Sequence, residues 1–410
     1  MKKKYLAFLC SRNNLNEVLG PHETLFKKMD KNFEKFYIIN FIYLQLFSAP
    51  GALKDFFDPI LKVNIKKPNN LIIFTPKTIN EFNEFMIDKE IVGINNLSRN
   101  FSHLKIHFIL KKFNIPQIMI SNFGFFNSTL KSTLKDKILK PSSNLFYFFE
   151  KFIGQKFTLF LTNINILKKV DIRFTSDQKT LIRINKSFLK RIFYKLNFFY
   201  AKKIIIINSK NYDMVTQKTL VKNEDNIVLL DAFLDHPEGS GLLKEVSQEN
   251  RIKHYEKLKF FLNKISKYYG KKVIICIHPK DNLENKKKIF NEFSVKQFET
   301  PENIYKAFLV LFFDSSAIID AILLKKKIIL VTSKYLPKPW IEIGKSFANR
   351  GNILNLDLED NLENKISILS DELDDRIKKY DKYIKEFITS GDEDRGLDFV
   401  MKTIKEKYFN

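Results

Sequence analysis

The feature that most constrains this chain is a rhythm. Apolar runs such as KYLAFLC, FYIINF, NLIIFTP, IVGINN and IPQIMISN alternate with longer amphipathic stretches such as HETLFKKMDKNF, TINEFNEFMIDKE and FSHLKIHFILKKF. Parallel strands need a crossover of a dozen or more residues between them, usually a helix, so this alternation predicts a parallel sheet. A second series begins at KIIIINS, residues 203–209. It continues through NIVLL, the helix RIKHYEKLKFFLNKISKYYG, KVIICIHPK, LENKKKIFNEF, PENIYKAF, LVLFF, AIIDAILL and KIILV. At roughly 100–200 residues per domain, 410 residues accommodate two. The expectation is an α/β protein of two Rossmann-like domains, 1–200 and 201–410. The tail from 362 reads as helical and acidic, with a last helix around 393–408 packing back on the first domain.

Residues 125–200 break the rhythm. They mix Phe and Tyr with Lys and Arg, and residues 131–210 carry 18 Lys/Arg against 4 Asp/Glu, a balance of +14. Such a segment fits helices with solvated charged faces, or an amphipathic surface that docks on an anionic membrane. The overall +24 is discounted, because abundant Lys, Asn, Ile and Phe with only 12 Gly point to coding bias. Cys10 and Cys276 lie in strand-like runs and imply no disulfide framework, which suits a reducing compartment. The start, MKKKYLAFLCSRNN, has too short an apolar run for a signal peptide and reads as a first strand. FYIINFIYLQLFSAPGAL, interrupted by Asn40, Gln45, Ser48, Pro50 and Gly51, suits a strand-to-helix element better than a membrane span of about 20 apolar residues.

Three places carry chemistry. In LVLFFDSSAIIDAILL, Asp314, Ser315 and Ser316 stand where a strand runs into a helix. Backbone N–H groups at a helix start favour an anion, and two hydroxyls can donate to phosphate oxygens. The competing reading is an ordinary helix cap by Asp314 or Ser315. In KVIICIHPKDN, His278, Pro279 and Lys280 follow a strand directly. Ligands of parallel sheets bind beyond the carboxyl ends of strands, although a histidine can also merely end a strand. Read together, His278 and the serine turn are expected on successive strands of one sheet. In NIVLLDAFLDHPEGSG, Asp231, Asp235, His236 and Glu238 cluster after another strand. A carboxylate there can accept the proton of an attacking hydroxyl. Asp231, nearest the strand, is favoured over Asp235 and Glu238, and a plain polar loop is the alternative. No metal site is read from the sequence, and the acidic runs 374–375 and 392–394 lie in the helical tail and read as solvated charge. No Walker loop or GxGxxG is present, which weighs against an ATPase or a dehydrogenase.

The ordered set LLDAFLDHPEG, CIHPK and FFDSSAIIDAILLKKKIILV resembles bacterial surface-polysaccharide glycosyltransferases of the GT-B kind. It is most similar to the sialyltransferase, polysialyltransferase and Kdo-transferase relatives with acidic, His-Pro and Ser-Ser motifs. The likeness covers about 203–335. It implies two Rossmann-like domains facing each other across a cleft, the first taking the acceptor and the second the nucleotide sugar. It implies an inverting, metal-independent transfer from a CMP-activated acidic sugar, such as sialic acid or Kdo, to a cell-surface glycan or glycolipid. The donor is then a substrate, and no cofactor is expected. His278, Pro279, Lys280, Ser315 and Ser316 would hold the donor. His278 would contact its phosphate or act as acid, and Asp231, Asp235 or Glu238 would be the base. This sequence departs from the pattern where a single acid, Glu238, precedes Gly239 in place of two. The implied location is cytoplasmic, peripheral on the inner face of the membrane. Other nucleotide-activated sugars or polyol phosphates are alternative donors. A basic nucleic-acid-binding protein is the reading from another class; no nucleic-acid motif supports it, so no nucleic acid partner is expected. A non-catalytic member of a polysaccharide assembly system is the third.

Overall fold

A computed structural model describes residues 2–12, 16–19, 22–46, 67–121, 153–176, 201–216, 225–231, 234, 246–279, 281–336, 338–360 and 371–410. The described residues divide into two compact units. One is drawn from 1–123, 132–210 and 389–410, the other from 211–388.

The first unit is built on β1 (Lys3–Cys10), β2 (Phe36–Asn40), β3 (Leu71–Phe74), β4 (Lys89–Asn95), β5 (Gln117–Ser121), β6 (Val170–Thr175) and β7 (Ala201–Ile206), in the order β3-β2-β1-β4-β5-β6-β7. Every pairing is parallel. Continuous apolar strands follow from burial on both faces: Leu6, Ala7, Phe8, Leu9 and Cys10 of β1 are all buried. One face packs on α1 (Glu23–Asn32), which buries Leu25, Phe26 and Met29. The other packs on α2 (Leu104–Lys112), which buries Ile106, Ile109 and Leu110. A third helix, α3 (Gln155–Asn163), precedes β6.

The second unit holds β8 (Asn226–Leu230), β9 (Lys272–Ile277), β10 (Ser294–Gln297), β11 (Ala307–Phe312), β12 (Lys327–Thr332) and β13 (Leu354–Asp357), all parallel, in the order β10-β9-β8-β11-β12-β13. Counted from β8, this is the 3-2-1-4-5-6 order of a Rossmann sheet. Among its helices are α4 (Gln248–Tyr269), α5 (Leu283–Ile289), α6 (Ile318–Leu323) and α7 (Lys338–Gly351). Ser247 caps α4 by accepting from the Asn250 N–H, and Gly270, at φ 62°, ends it in the left-handed region. Leu258, Phe261, Leu262 and Ile265 of α4 and Trp340 of α7 join Leu229, Ile275 and Leu311 in one core.

Two Rossmann-like units are the fold class expected from the sequence, of the GT-B kind. The expected boundary near 200 is corrected. Ala201–Ile206 pairs with β6 as the seventh strand of the first sheet, because it extends a parallel ladder already begun there. The last helix, α8 (Leu397–Tyr408), also belongs to the first unit, where Leu397, Val400, Met401 and Ile404 join Leu6, Phe8 and Phe26. One buried side chain holds the chain where it leaves and where it returns. Asn208 accepts from the Thr389 hydroxyl at 2.9 Å and the Ser390 N–H at 2.8 Å. It donates to the Asp392 carbonyl at 2.9 Å. The acidic run 392–394, read as solvated charge, lies in this returning turn.

Candidate functional site

The strand order of the second sheet reverses between β8 and β11, and ligands of such sheets settle beyond the strand ends at that switch point. Leu230, Cys276 and Phe312 are level across β8, β9 and β11. The acidic, His-Pro and serine segments therefore leave the sheet at one height and on one edge. The serine turn stands at the switch point itself. The expectation that His278 and the serines occupy successive strands is corrected: β8 lies between β9 and β11. At about 4.8 Å per strand, the two motifs are separated by about 10 Å of sheet. That spacing suits a ligand of nucleotide length better than a lone phosphate.

The serine turn is built from its own sequence. Ser315 Oγ accepts from the Ala317 N–H at 3.3 Å, a bond within the turn; α6 itself has no side-chain cap. The Ser315 O–H is still a donor. Ser315 and Ser316 are both half-buried. Burial raises the Asp314 carboxyl to about 6, opposed by a bond from its own N–H. The turn is held from behind. Phe313 packs edge-on against the buried His254 ring at 5.4 Å. Gly344 of α7 comes so close that a Cβ there would stand 2.3 Å from the Phe313 carbonyl oxygen.

His278 and Pro279 are exposed at the end of β9. Their backbone is pinned by one side chain from β10. Gln297 Nε2 donates to the carbonyls of Pro279 at 3.2 Å and Asp281 at 2.9 Å, and the Asp281 N–H donates to the His278 carbonyl at 2.9 Å. Lys280, Asp235, His236 and Glu238 lie outside the described residues.

Asp231 departs from its expected role. It sits at the end of β8, but its side chain has no exposed surface and lies 2.6 Å from Lys286 Nζ. Lys286, on α5, is itself fully buried. It donates to Tyr255 Oη at 2.6 Å and stands 3.5 Å from Asp281 Oδ2. A carboxylate enclosed in that way cannot meet an acceptor hydroxyl. It ties the ends of β8 and β9 together instead. The sequence held a signal for this: Leu283, Lys286 and Phe290 recur at helical spacing, which puts one lysine of KKK on the apolar face.

Sequence reasoning missed a second site. The strand order of the first sheet reverses between β1 and β4, and a pocket opens at their carboxyl ends. Phe8, His22, Thr24, Leu25, Asn95, Asn96, Lys210 and Leu397 are among its lining residues. His22 Nε2 lies 3.5 Å from Asn96 Nδ2, and its ring packs on Phe8 at 4.9 Å. Burial, with the charges of Lys210 and Arg12, lowers His22 to about 4. It is therefore a neutral imidazole at neutral pH, able to accept a hydrogen bond. The switch-point rule, applied to the first series of strands, would have pointed to this loop.

Among the described residues, no group of three or more His, Cys, Asp or Glu is arranged to hold a metal ion, and no helix is long and apolar enough to cross a membrane. Cys10 and Cys276 are free and buried.

No protein-family profile and no curated protein sequence matches this chain. Solved structures do. A variant of the wall teichoic acid polymerase TagF is 11% identical, with 100% of this chain and 91% of that one covered, at a TM-score of 0.51. UDP-GlcNAc 2-epimerase of Methanocaldococcus jannaschii, in complex with UDP-GlcNAc and UDP, is 14% identical over 98% and 99% of the two chains, at 0.45. MurG of Acinetobacter baumannii is 9% identical over 98% and 99%, at 0.46. At 11% identity the TagF likeness speaks to fold alone, and the fold it speaks to is the pair of Rossmann-like units described above.

Proposed function

We propose that this protein is an inverting, metal-independent glycosyltransferase that moves a CMP-activated acidic sugar, of the sialic acid or Kdo type, onto a cell-surface glycan or glycolipid. The observation that carries the reading is the serine turn at the switch point of a Rossmann-ordered sheet, with the His-Pro loop leaving the same edge two strands away. Ser315 and Ser316 donate to the donor's phosphate or to the sugar's carboxylate. His278 meets the phosphate or protonates the leaving nucleotide. Charge grows on a phosphate oxygen as the sugar departs, and donors already aimed at that oxygen stabilise it without reorganising. With Asp231 enclosed by Lys286, the proton of the attacking hydroxyl goes to Asp235 or Glu238. The first unit's pocket, with its neutral His22 and polar Asn96, receives the acceptor's hydroxyl-bearing end.

Thermal shift of the purified chain against CMP, CDP, UDP and GDP identifies the donor class, since a bound nucleotide raises apparent stability by mass action. Transfer or donor hydrolysis should fall at least about a hundredfold in His278→Ala and in Ser316→Ala with the melting profile intact. Unchanged turnover in both would overturn the assignment. A second reading keeps the site and changes the donor to another nucleotide-activated sugar or polyol phosphate. Its support is the fold shared with a wall teichoic acid polymerase, and stabilisation by a nucleotide other than CMP would favour it.

A further inference from the structure

The outer face of α3 is apolar where a surface helix should be polar. Thr158, Leu159, Leu161 and Thr162 face inward and are buried. Yet Ile153, Phe157, Phe160 and Ile164, a stripe at helical spacing, are exposed, Phe160 by 52%. A helix apolar on both faces is ordinarily enclosed by protein or by lipid. Phe108 of α2 and Ile166 extend the patch. Six of the fourteen large exposed hydrophobics among the described residues are in this one region.

The two helices form one surface. Phe157 packs on Phe101 with ring centroids 5.5 Å apart. Lys111 of α2 donates to the Ile166 carbonyl at 3.1 Å, and Lys168 donates to the Asn114 carbonyl at 2.7 Å. A Cβ on Gly154 would stand 2.7 Å from the Phe101 ring, so the segment is closely seated.

Charge decides what covers the patch. Residues 91–121 and 153–170 contain Arg99, Lys105, Lys111, Lys112, Lys156, Lys168 and Lys169 and not one Asp or Glu. A second copy docking on this face would set cations against cations, an arrangement that opposes association. Phenylalanine and isoleucine along a helix axis, flanked only by cations, match an anionic lipid surface, where the rings enter the acyl boundary and the lysines meet head groups.

We infer that the outer face of α3, with Phe108 and the lysines of α2, is a peripheral docking surface for anionic membranes. Much of the 125–200 segment to which the sequence assigned such contact lies outside the described residues. The surface defined here is narrower and reaches into α2. The inference rests on this surface alone and stands independently of the sugar-transfer reading.

Sedimentation of the full chain with vesicles tests it. Vesicles of phosphatidylcholine and phosphatidylglycerol in equal parts should carry the protein down, and vesicles of phosphatidylcholine alone should not. Phe157→Ser combined with Phe160→Ser should weaken binding about tenfold or more. Phe260→Ser, which alters an equally exposed ring in the second unit, should leave it unchanged. Raising salt from about 0.1 M to about 1 M, which shortens the Debye length from about 10 Å to about 3 Å, should release much of the bound protein. Equal binding to both vesicle types, no binding to either, or full binding by the folded double variant overturns the proposal. So does a concentration-dependent dimer that the double variant abolishes.

Discussion

Lys286 has no exposed surface and stands between the carboxylates of Asp231 and Asp281. Removing one member of a buried ion cluster leaves an uncompensated charge, which costs more than the cluster contributes. Lys286→Met should therefore lower unfolding free energy by about 3–5 kcal/mol in urea. Replacing Asp231 by Leu in the same chain should recover part of that loss; no loss at all would show that the cluster is not formed. Asp314 bears on ligand binding instead. Its carboxyl, raised to about 6 by burial, is mostly ionised at neutral pH beside the two serines. An anion bound there meets repulsion above about pH 6, and protonation relieves it. Affinity for an intact nucleotide sugar, whose phosphodiester does not titrate between about pH 5 and 8, should rise as pH falls through 6. Asp314→Asn should bind tighter at neutral pH and show a flatter profile by calorimetry. A wild-type profile already flat would remove the anion from this turn. Asp231 and Asp314 were both visible in the sequence as acids at strand ends. Their difference was not, because it depends on a lysine in a helix more than fifty positions away.

At the scale of elements, α7 is what holds the serine turn in place. Gly344 lets its backbone touch the Phe313 carbonyl, and a methyl there would need α7 or β11 to move. Gly344→Ala should cost about 1–3 kcal/mol as an overpacking change and loosen nucleotide binding as well. Gly344→Ala with stability and binding both unaltered would show that the contact has slack. Strand and helix alternation made most of these elements legible, since a parallel sheet leaves long apolar runs and obligatory helical crossovers. β6, β10 and β13 escaped notice. VDIRFT alternates its buried residues inside a Phe- and Lys-rich stretch, and SVKQ and LNLD are four-residue strands with little apolar content. KIIIINS was legible as a strand but not as the first sheet's seventh, because a strand carries no local mark of which sheet it extends.

The whole molecule should be sensitive to mild acid. Burial lowers His103 to about 4 and His107 well below its ordinary value, and it combines with Lys210 and Arg12 to lower His22 to about 4. A depressed folded pKa means the unfolded chain takes up protons first. The stability these groups provide is complete above about pH 6.5 and is lost as pH falls toward 4. For His103 alone the loss is on the order of 3 kcal/mol. Asp314 acts with the opposite sign between about pH 4 and 6 and offsets part of it. Melting temperature should fall steadily from pH 7 to 4.5 in a scan, and His103→Gln should flatten the slope. A scan level across that range would mean the imidazoles are more solvated than the fold implies.

Asn208 and α8 together carry a consequence for biosynthesis. The host sheet is made early, but the helix that covers Leu6, Phe8 and Phe26 leaves the ribosome after every other described element. Nearly two hundred intervening residues, 211–388, emerge first and can fold as an inserted body. Until α8 arrives, the greasy side of the opening strands is only partly covered, by α1, an interval in which a nascent chain recruits holding chaperones.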